Sequence, residues 1–149
     1  AQMVNVLQAM VLTDKDKIAV TPTYHVFRMY KVHQGATMIP SSVSGPEYKY
    51  EKSSVPAVHV STSRSKDGTL NVSLVNLDPQ HQIDVNTVIN SAKVSSVTGE
   101  VLTSAKMNAM NTIDAPESIK PARFTGFKLN GQQLLVNLPA KSVVVLALK

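Results

Sequence analysis

Val58-His59-Val60-Ser61-Thr62-Ser63-Arg64-Ser65-Lys66-Asp67-Gly68-Thr69-Leu70-Asn71-Val72-Ser73-Leu74 is the stretch that decides the fold. Val58 and Val60 alternate with His59 and Ser61, and Leu70, Val72 and Leu74 alternate with Asn71 and Ser73. A period of two places one row of side chains on each face of a strand. Between the two runs lies Asp67-Gly68, a pair suited to the positive φ angles of a tight hairpin turn. The segment therefore predicts two antiparallel strands joined by a hairpin.

The same pattern continues towards the C-terminus. Strands are expected near Ile83–Ile89, Lys93–Val97 and Glu100–Leu102, with Gly99 at the turn between the last two. Phe124–Leu129 and Gln133–Leu138 flank Asn130-Gly131, a second hairpin signal. Ser142–Leu148 is almost continuously apolar, as expected of a strand buried on both faces or lying in a sandwich core. Short strands at this spacing indicate a β-sandwich. The stretch Met107–Arg123 carries Asn108, Asn111, Pro116 and Pro121 without a period, and is expected to be a long surface loop crossing one end of the sandwich.

The first 35 residues follow another rule. Met3, Val6, Leu7 and Met10 recur at helical spacing and predict a helix over 2–11. A polar loop over 13–17 and a short strand at Ile18-Ala19-Val20 follow. Thr21 offers a capping side chain and Pro22 suits the first helical position, so a second helix is expected over 22–34, ending at Gly35. Its apolar face would be Val26, Phe27 and Tyr30. Helix, strand, helix is the repeat of an α/β protein, and one unit alone cannot cover a parallel strand on both sides. The first helix lacks an N-cap residue and the chain starts on Ala1, so the opening is expected to be the trimmed end of a larger unit. The second helix is expected to pack on the sandwich, with residues 1–20 held less firmly.

Composition narrows the function classes. A length of 149 residues suits about one domain, and 43% hydrophobic with 17% charged residues suits a globular chain rather than a disordered one. No apolar run approaches the ~20 residues of a membrane span, and the N-terminus lacks a basic signal-peptide region. With no Cys, disulfides, thiolate metal sites and a Cys nucleophile are excluded. The net charge of +5 comes from scattered lysines and Trp is absent, which argues against a nucleic-acid surface. The compartment stays open.

Candidate chemistry is sparse. His25 and His33 lie eight residues apart on one helix, too far for the one-turn spacing of a paired metal grip, and His59 falls on the outward side of its strand. His81 adds no partner, so no metal site is expected. Most carboxylates sit in turns or at strand ends. Asp114 and Glu117 share the long loop, but glycoside hydrolysis needs two carboxyl groups facing each other across a pocket. No nucleophile elbow and no glycine-rich phosphate loop is present. Asn71-Val72-Ser73 matches a glycosylation acceptor but lies within a strand. Tyr48 and Tyr50 alternate and would share one face.

Several stretches together carry a resemblance. They are Ala1–Met10 (AQMVNVLQAM), Thr21–Tyr30 (TPTYHVFRMY), Val72–Pro79 (VSLVNLDP), Met107–Thr112 (MNAMNT) and Leu138–Leu146 (LPAKSVVVL). In this order and spacing the chain resembles the C-terminal end of bacterial α-L-arabinofuranosidases of glycoside hydrolase family fifty-one. The resemblance covers essentially the whole chain. It implies a mainly β fold: a jelly-roll-like β-sandwich preceded by a short helical remnant of a (β/α)8 barrel. Residues 1–35 would be the end of the catalytic barrel and residues 36–149 the C-terminal sandwich. The family's two catalytic glutamates would lie upstream of Ala1, so no catalytic residue is expected within the chain, and neither a metal nor a cofactor is implied. Gln2 matches a glutamine near the family's sugar pocket and would exchange hydrogen bonds with arabinose hydroxyls if the barrel were present.

The resemblance further implies a parent that releases terminal α-L-arabinofuranosyl groups from arabinan or arabinoxylan by a retaining mechanism, within L-arabinose metabolism. The chain itself would be a non-catalytic brace for the barrel. Its partners would be the parent's barrel, further copies in a homo-oligomer and, through the parent, arabinose-containing polysaccharide. The alternative is a stand-alone carbohydrate-binding β-sandwich module, with Tyr48 and Tyr50 as its aromatic candidates.

Overall fold

Leu70, Val72 and Leu74 project from one face of their strand and Asn71 and Ser73 from the other, yet both rows are buried. That double burial defines the architecture. In the computed structural model, which describes residues 3–7, 9–90 and 93–149, the elements in chain order are β1 Val11–Asp14, β2 Lys17–Val20, α1 Pro22–Tyr30, β3 Thr37–Met38, β4 Glu47–Tyr50, β5 Ser53–Pro56, β6 Val58–Arg64, β7 Leu70–Asn76, β8 Ile83–Val88, β9 Val97–Leu102, β10 Ala122–Arg123, β11 Phe127–Asn130, β12 Gln133–Leu138 and β13 Ser142–Leu148. A six-stranded sheet runs β10-β9-β13-β7-β6-β3 and a three-stranded sheet β11-β12-β8. The pairings within both are antiparallel. β1–β2 and β4–β5 form separate two-stranded ribbons.

The two larger sheets enclose the main core. Leu74, Val144, Leu146 and Leu148 of the large sheet and Leu134, Val136 and Leu138 of the small one belong to a single apolar cluster. Their side chains alternate with those on the outer faces, as the pleat requires. The centre of the large sheet's outer face is covered as well, while His59, Ser61, Thr98 and Glu100 on the same face stay exposed. Leu102 of β9 and Val145 of β13 form a second cluster there with Met29 of α1 and Ile119, joined by Val26, Tyr30, Ala109 and Val143. The molecule thus has three layers: small sheet, large sheet, and α1 with the segment after β9.

α1 forms where expected. Thr21 is extended at the N-cap and accepts from the Tyr24 amide, and its hydroxyl donates to the Ala9 carbonyl at 2.8 Å. Pro22 opens the helix. The last turn tightens into a 3₁₀ turn over Lys31–His33, and Gly35 follows with φ +69. The packed stripe is buried Met29 with half-buried Val26, Tyr30 and His33; Val26 and Tyr30 lie where expected, and Met29 takes the place expected for Phe27. At 100° per residue, positions 26, 29, 30 and 33 share a face and Phe27 falls off it, 63% exposed.

Several expectations are corrected. No helix forms over the described part of 2–11: Val4 bridges Val11, and the Met10 and Val11 amides both donate to the Met3 carbonyl. Asn5 takes φ +51, and its side chain accepts from the Thr13 amide and donates to the Thr13 carbonyl. This local side-chain bonding outcompetes the helical pattern, and Leu7, placed on the supposed apolar face, is 95% exposed. The polar loop over 13–17 is the tip of the β1–β2 hairpin.

Gly99 is not at a turn. β9 runs straight through it, and a Cβ there would meet Leu146 Cδ2 at 2.7 Å and Phe124 at 3.3 Å. Gly126 clears the far edge of the same Phe124 ring, where a Cβ would lie 2.8 Å from it. Both glycines make room for one aromatic ring. The described residues 93–96 form no strand, and the strand expected from Phe124 begins only at Phe127.

Candidate functional site

The outer layer is where polar chemistry concentrates, and it is built by side chains gripping backbone. Asn111, 2% exposed, donates to the Val20 carbonyl at 2.9 Å and the Ile119 carbonyl at 2.8 Å, and accepts from the Ile119 amide at 2.7 Å. One amide thereby closes the long loop on itself and ties it to the end of β2. The loop thus docks on the chain's own N-terminal segment. Asn76, 1% exposed, does the same work at the end of β7. Its side chain donates to the His81, Leu138 and Pro139 carbonyls and accepts from the Asp78 amide. Buried amides with their bonding capacity used in this way fix loop paths.

His33 clasps the end of α1 to the large sheet. Its Nδ1 lies 2.7 Å from Ser63 Oγ of β6 and its Nε2 lies 2.6 Å from Ser73 Oγ of β7. Burial pulls its pKa below 6.5. Tyr30 packs edge-on against the ring and its hydroxyl bonds Ser73, while burial, the larger influence, pushes the phenol's pKa up. Asn71 adds bonds to the Val32 carbonyl and Ser65 Oγ. This clasp explains why polar Asn71 and Ser73 are buried, and Asn71 at 3% exposure is closed to glycosylation in the folded chain.

The other candidates are dispersed. His25 has a buried Nδ1 without a hydrogen-bond partner; burial lowers its pKa first, the Arg28 charge adds to that, and Glu117 opposes it. His59 is exposed, and His81 pairs with Asp78 at 3.0 Å on the surface. Among the described residues no group of three His, Cys, Asp or Glu could hold a metal ion. Asp114 and Glu117 are both exposed, and Glu117 bonds Lys120 at 2.8 Å, which draws its pKa down.

An open groove of about 370 Å³ beside β11 and β12 is lined by Asp84, Lys128, Leu135 and Asn137. It offers a single carboxylate, already bonded to Asn137. Tyr48 is half-buried and Tyr50 is 65% exposed on the β4–β5 ribbon. Gln2 lies outside the described residues.

Sequence reasoning passed over Ser63, Asn71, Ser73, Asn76 and Asn111 as holding groups. The available signal was polar residues at alternate positions of a strand whose neighbours are apolar on both sides.

Fold and contacts together define a three-layered β-sandwich whose polar residues hold loops in place. The chain belongs to the α-L-arabinofuranosidase C-terminal domain family, whose model matches residues 1–142. It is 39% identical over 150 residues to an intracellular exo-α-L-arabinofuranosidase of Bacteroides ovatus, covering 100% of this chain and 29% of that protein. It superposes on the family 51 arabinofuranosidase of Xanthomonas axonopodis pv. citri with a TM-score of 0.97 at 42% identity, over 100% of this chain and 30% of that one. A family 51 α-L-arabinofuranosidase of Bifidobacterium longum shares the fold, with a TM-score of 0.89 at 20% identity over 100% and 30% of the two chains. The chain therefore spans under a third of the relatives it matches.

Proposed function

We propose that the chain serves as the non-catalytic C-terminal part of an exo-acting, retaining α-L-arabinofuranosidase that releases terminal arabinofuranosyl groups from arabinan or arabinoxylan. In this reading residues 1–35 complete the catalytic (β/α)8 barrel and residues 36–149 brace it. Gln2 would face the sugar pocket, and contacts between copies would be made by the assembled enzyme. The observation that carries the reading is the match of the entire chain to under a third of a family 51 enzyme at 42% identity.

The distribution of exposed apolar residues supports it. Met3, Val4, Leu7, Ile18, Tyr24 and Phe27 all lie exposed within the first 30 residues, a higher density than the average over the described part of residues 36–149. An apolar surface of that kind marks a contact face. The β1–β2 ribbon is also too small to be stable by itself.

The test compares the 149-residue chain with the longer enzyme that carries it, using a nitrophenyl α-L-arabinofuranoside. The longer enzyme should hydrolyse it and the chain alone should not. Calorimetric titration of the chain with arabino-oligosaccharides should show no saturable binding. Enzyme-like turnover by the isolated chain would overturn the proposal.

A further inference from the structure

We propose that His33 is a protonation-sensitive latch that holds α1 on the large sheet and releases it when the imidazole ring gains a second proton. The ring sits between two serine hydroxyls, Ser63 Oγ at 2.7 Å and Ser73 Oγ at 2.6 Å, which are themselves 4% and 1% exposed. A neutral imidazole donates from one nitrogen and accepts at the other, and a serine hydroxyl can serve either role. The neutral ring is therefore fully satisfied. The cation would bring a positive charge to the same place, where charge needs a paired partner.

The groups around the ring supply none. α1 brings the neutral Tyr30 hydroxyl, and the 3₁₀ turn brings Lys31. β6 carries His59 on the same face as Ser63, with Arg64 beyond it, and the turn after β6 carries Lys66. Its remaining charge, Asp67, is turned to the Thr69 amide and hydroxyl. β7 presents only Asn71 and Ser73. No carboxylate hydrogen-bonds the ring, and burial is what disfavours the imidazolium there. An open groove along Gln34, Gly35, Ala36, Ser65 and Lys66 gives water access to this end of α1.

The sign follows from linkage. Burial holds the folded-state pKa of His33 below the 6.5 of an unfolded chain. The contribution of the latch is complete above that value and is lost as pH falls through the lower folded-state value. The helix end, rather than the sandwich, should respond. The cluster around Met29 is small, and the main core between the sheets contains no histidine.

The experiment is amide hydrogen exchange on the 149-residue chain between about pH 8 and about pH 5, corrected for intrinsic exchange, the interval in which histidine titrates. Amides 24–34 should lose protection on acidification while those of β12 and β13 keep it. His33→Gln, whose amide donates and accepts without titrating, should remove most of the pH dependence of protection over 24–34, leaving only the part that His25 contributes. His25→Gln should leave the acid-induced loss in place, which separates the two helix histidines. Nitrogen-15 spectra of the unmodified chain should place His33 titration below 6.5, where the loss is completed rather than where it begins. The proposal fails if 24–34 stay protected at low pH, if His33→Gln shows the same loss, or if His33 titrates above 6.5.

Discussion

The two faces of the large sheet are held by opposite means. Its inner face meets the small sheet through aliphatic side chains, with Leu74, Val144, Leu146 and Leu148 against Leu134, Val136 and Leu138. Its outer face meets α1 and the long loop through a small apolar cluster around Met29, ringed by Asn111, Asn71, Ser73 and His33. Apolar burial is non-directional and tolerates many partners. Buried amide and imidazole bonds fix one geometry, and leave costly orphans when broken. The inner face should therefore set global stability and the outer face the local order of the first third of the chain.

The largest expected effect tests the inner face. Leu138, 0% exposed, packs among leucines and valines of both sheets. Leu138→Ala should remove about 2–5 kcal/mol of global stability, read as a drop in the urea midpoint. Asn111→Ala should cost about 1–3 kcal/mol, because the Ile119 amide and the Val20 and Ile119 carbonyls lose their partner. Hydrogen exchange should then rise over 9–34 and 107–121 while β12 and β13 stay protected. A uniform rise across the chain in Asn111→Ala would erase the contrast between the two faces.

The same contrast decides what was legible in the sequence. The inner face depends on alternation, so β6, β7, β8, β12 and β13 could be read to within about two residues. The Asp67-Gly68 and Asn130-Gly131 turns were legible because Gly68 and Gly131 take the positive φ their hairpins require. Thr21-Pro22 announced α1 through local chemistry alone. The outer face depends on distant partners, and alternation misleads there. Asn71 and Ser73 look like solvent-facing residues until the turn carrying Val32 and His33 covers them. Over 3–11 the apolar spacing imitates a helix, but Asn5 commits its side chain to Thr13 instead. Gly99 has the composition of a turn, yet its role is set by Phe124, which lies 25 residues further on. The candidate site was less legible still: the stretches bearing Asn76 and Asn111 were readable as a family likeness, whereas their bonds to backbone are visible only in three dimensions.

Gly99→Ala sharpens the comparison, since it loads the inner core from a position that reads as a loop. The added methyl would meet Leu146 Cδ2 at 2.7 Å, and Leu146, 0% exposed, has little room to move. Overpacking of this kind should cost about 1–3 kcal/mol of global stability. A neutral result would mean that the Phe124 ring yields and that the inner face is looser than its burial implies.

The smallest effect belongs to the pair that looks most like a bridge between the layers. Arg28 of α1 and Glu100 of β9 approach to 2.8 Å, but their side chains are 42% and 48% exposed. Water screens such a pair and two flexible side chains must be ordered to form it, so its expected contribution is below about 1 kcal/mol. Arg28→Ala should shift the urea midpoint little, and what shift there is should shrink in high salt. Exchange over 24–34 should change far less than in Asn111→Ala. If instead Arg28→Ala frees α1 as fully as the loss of Asn111, then charge at the rim, rather than the buried clasp beneath it, holds the outer layer in place.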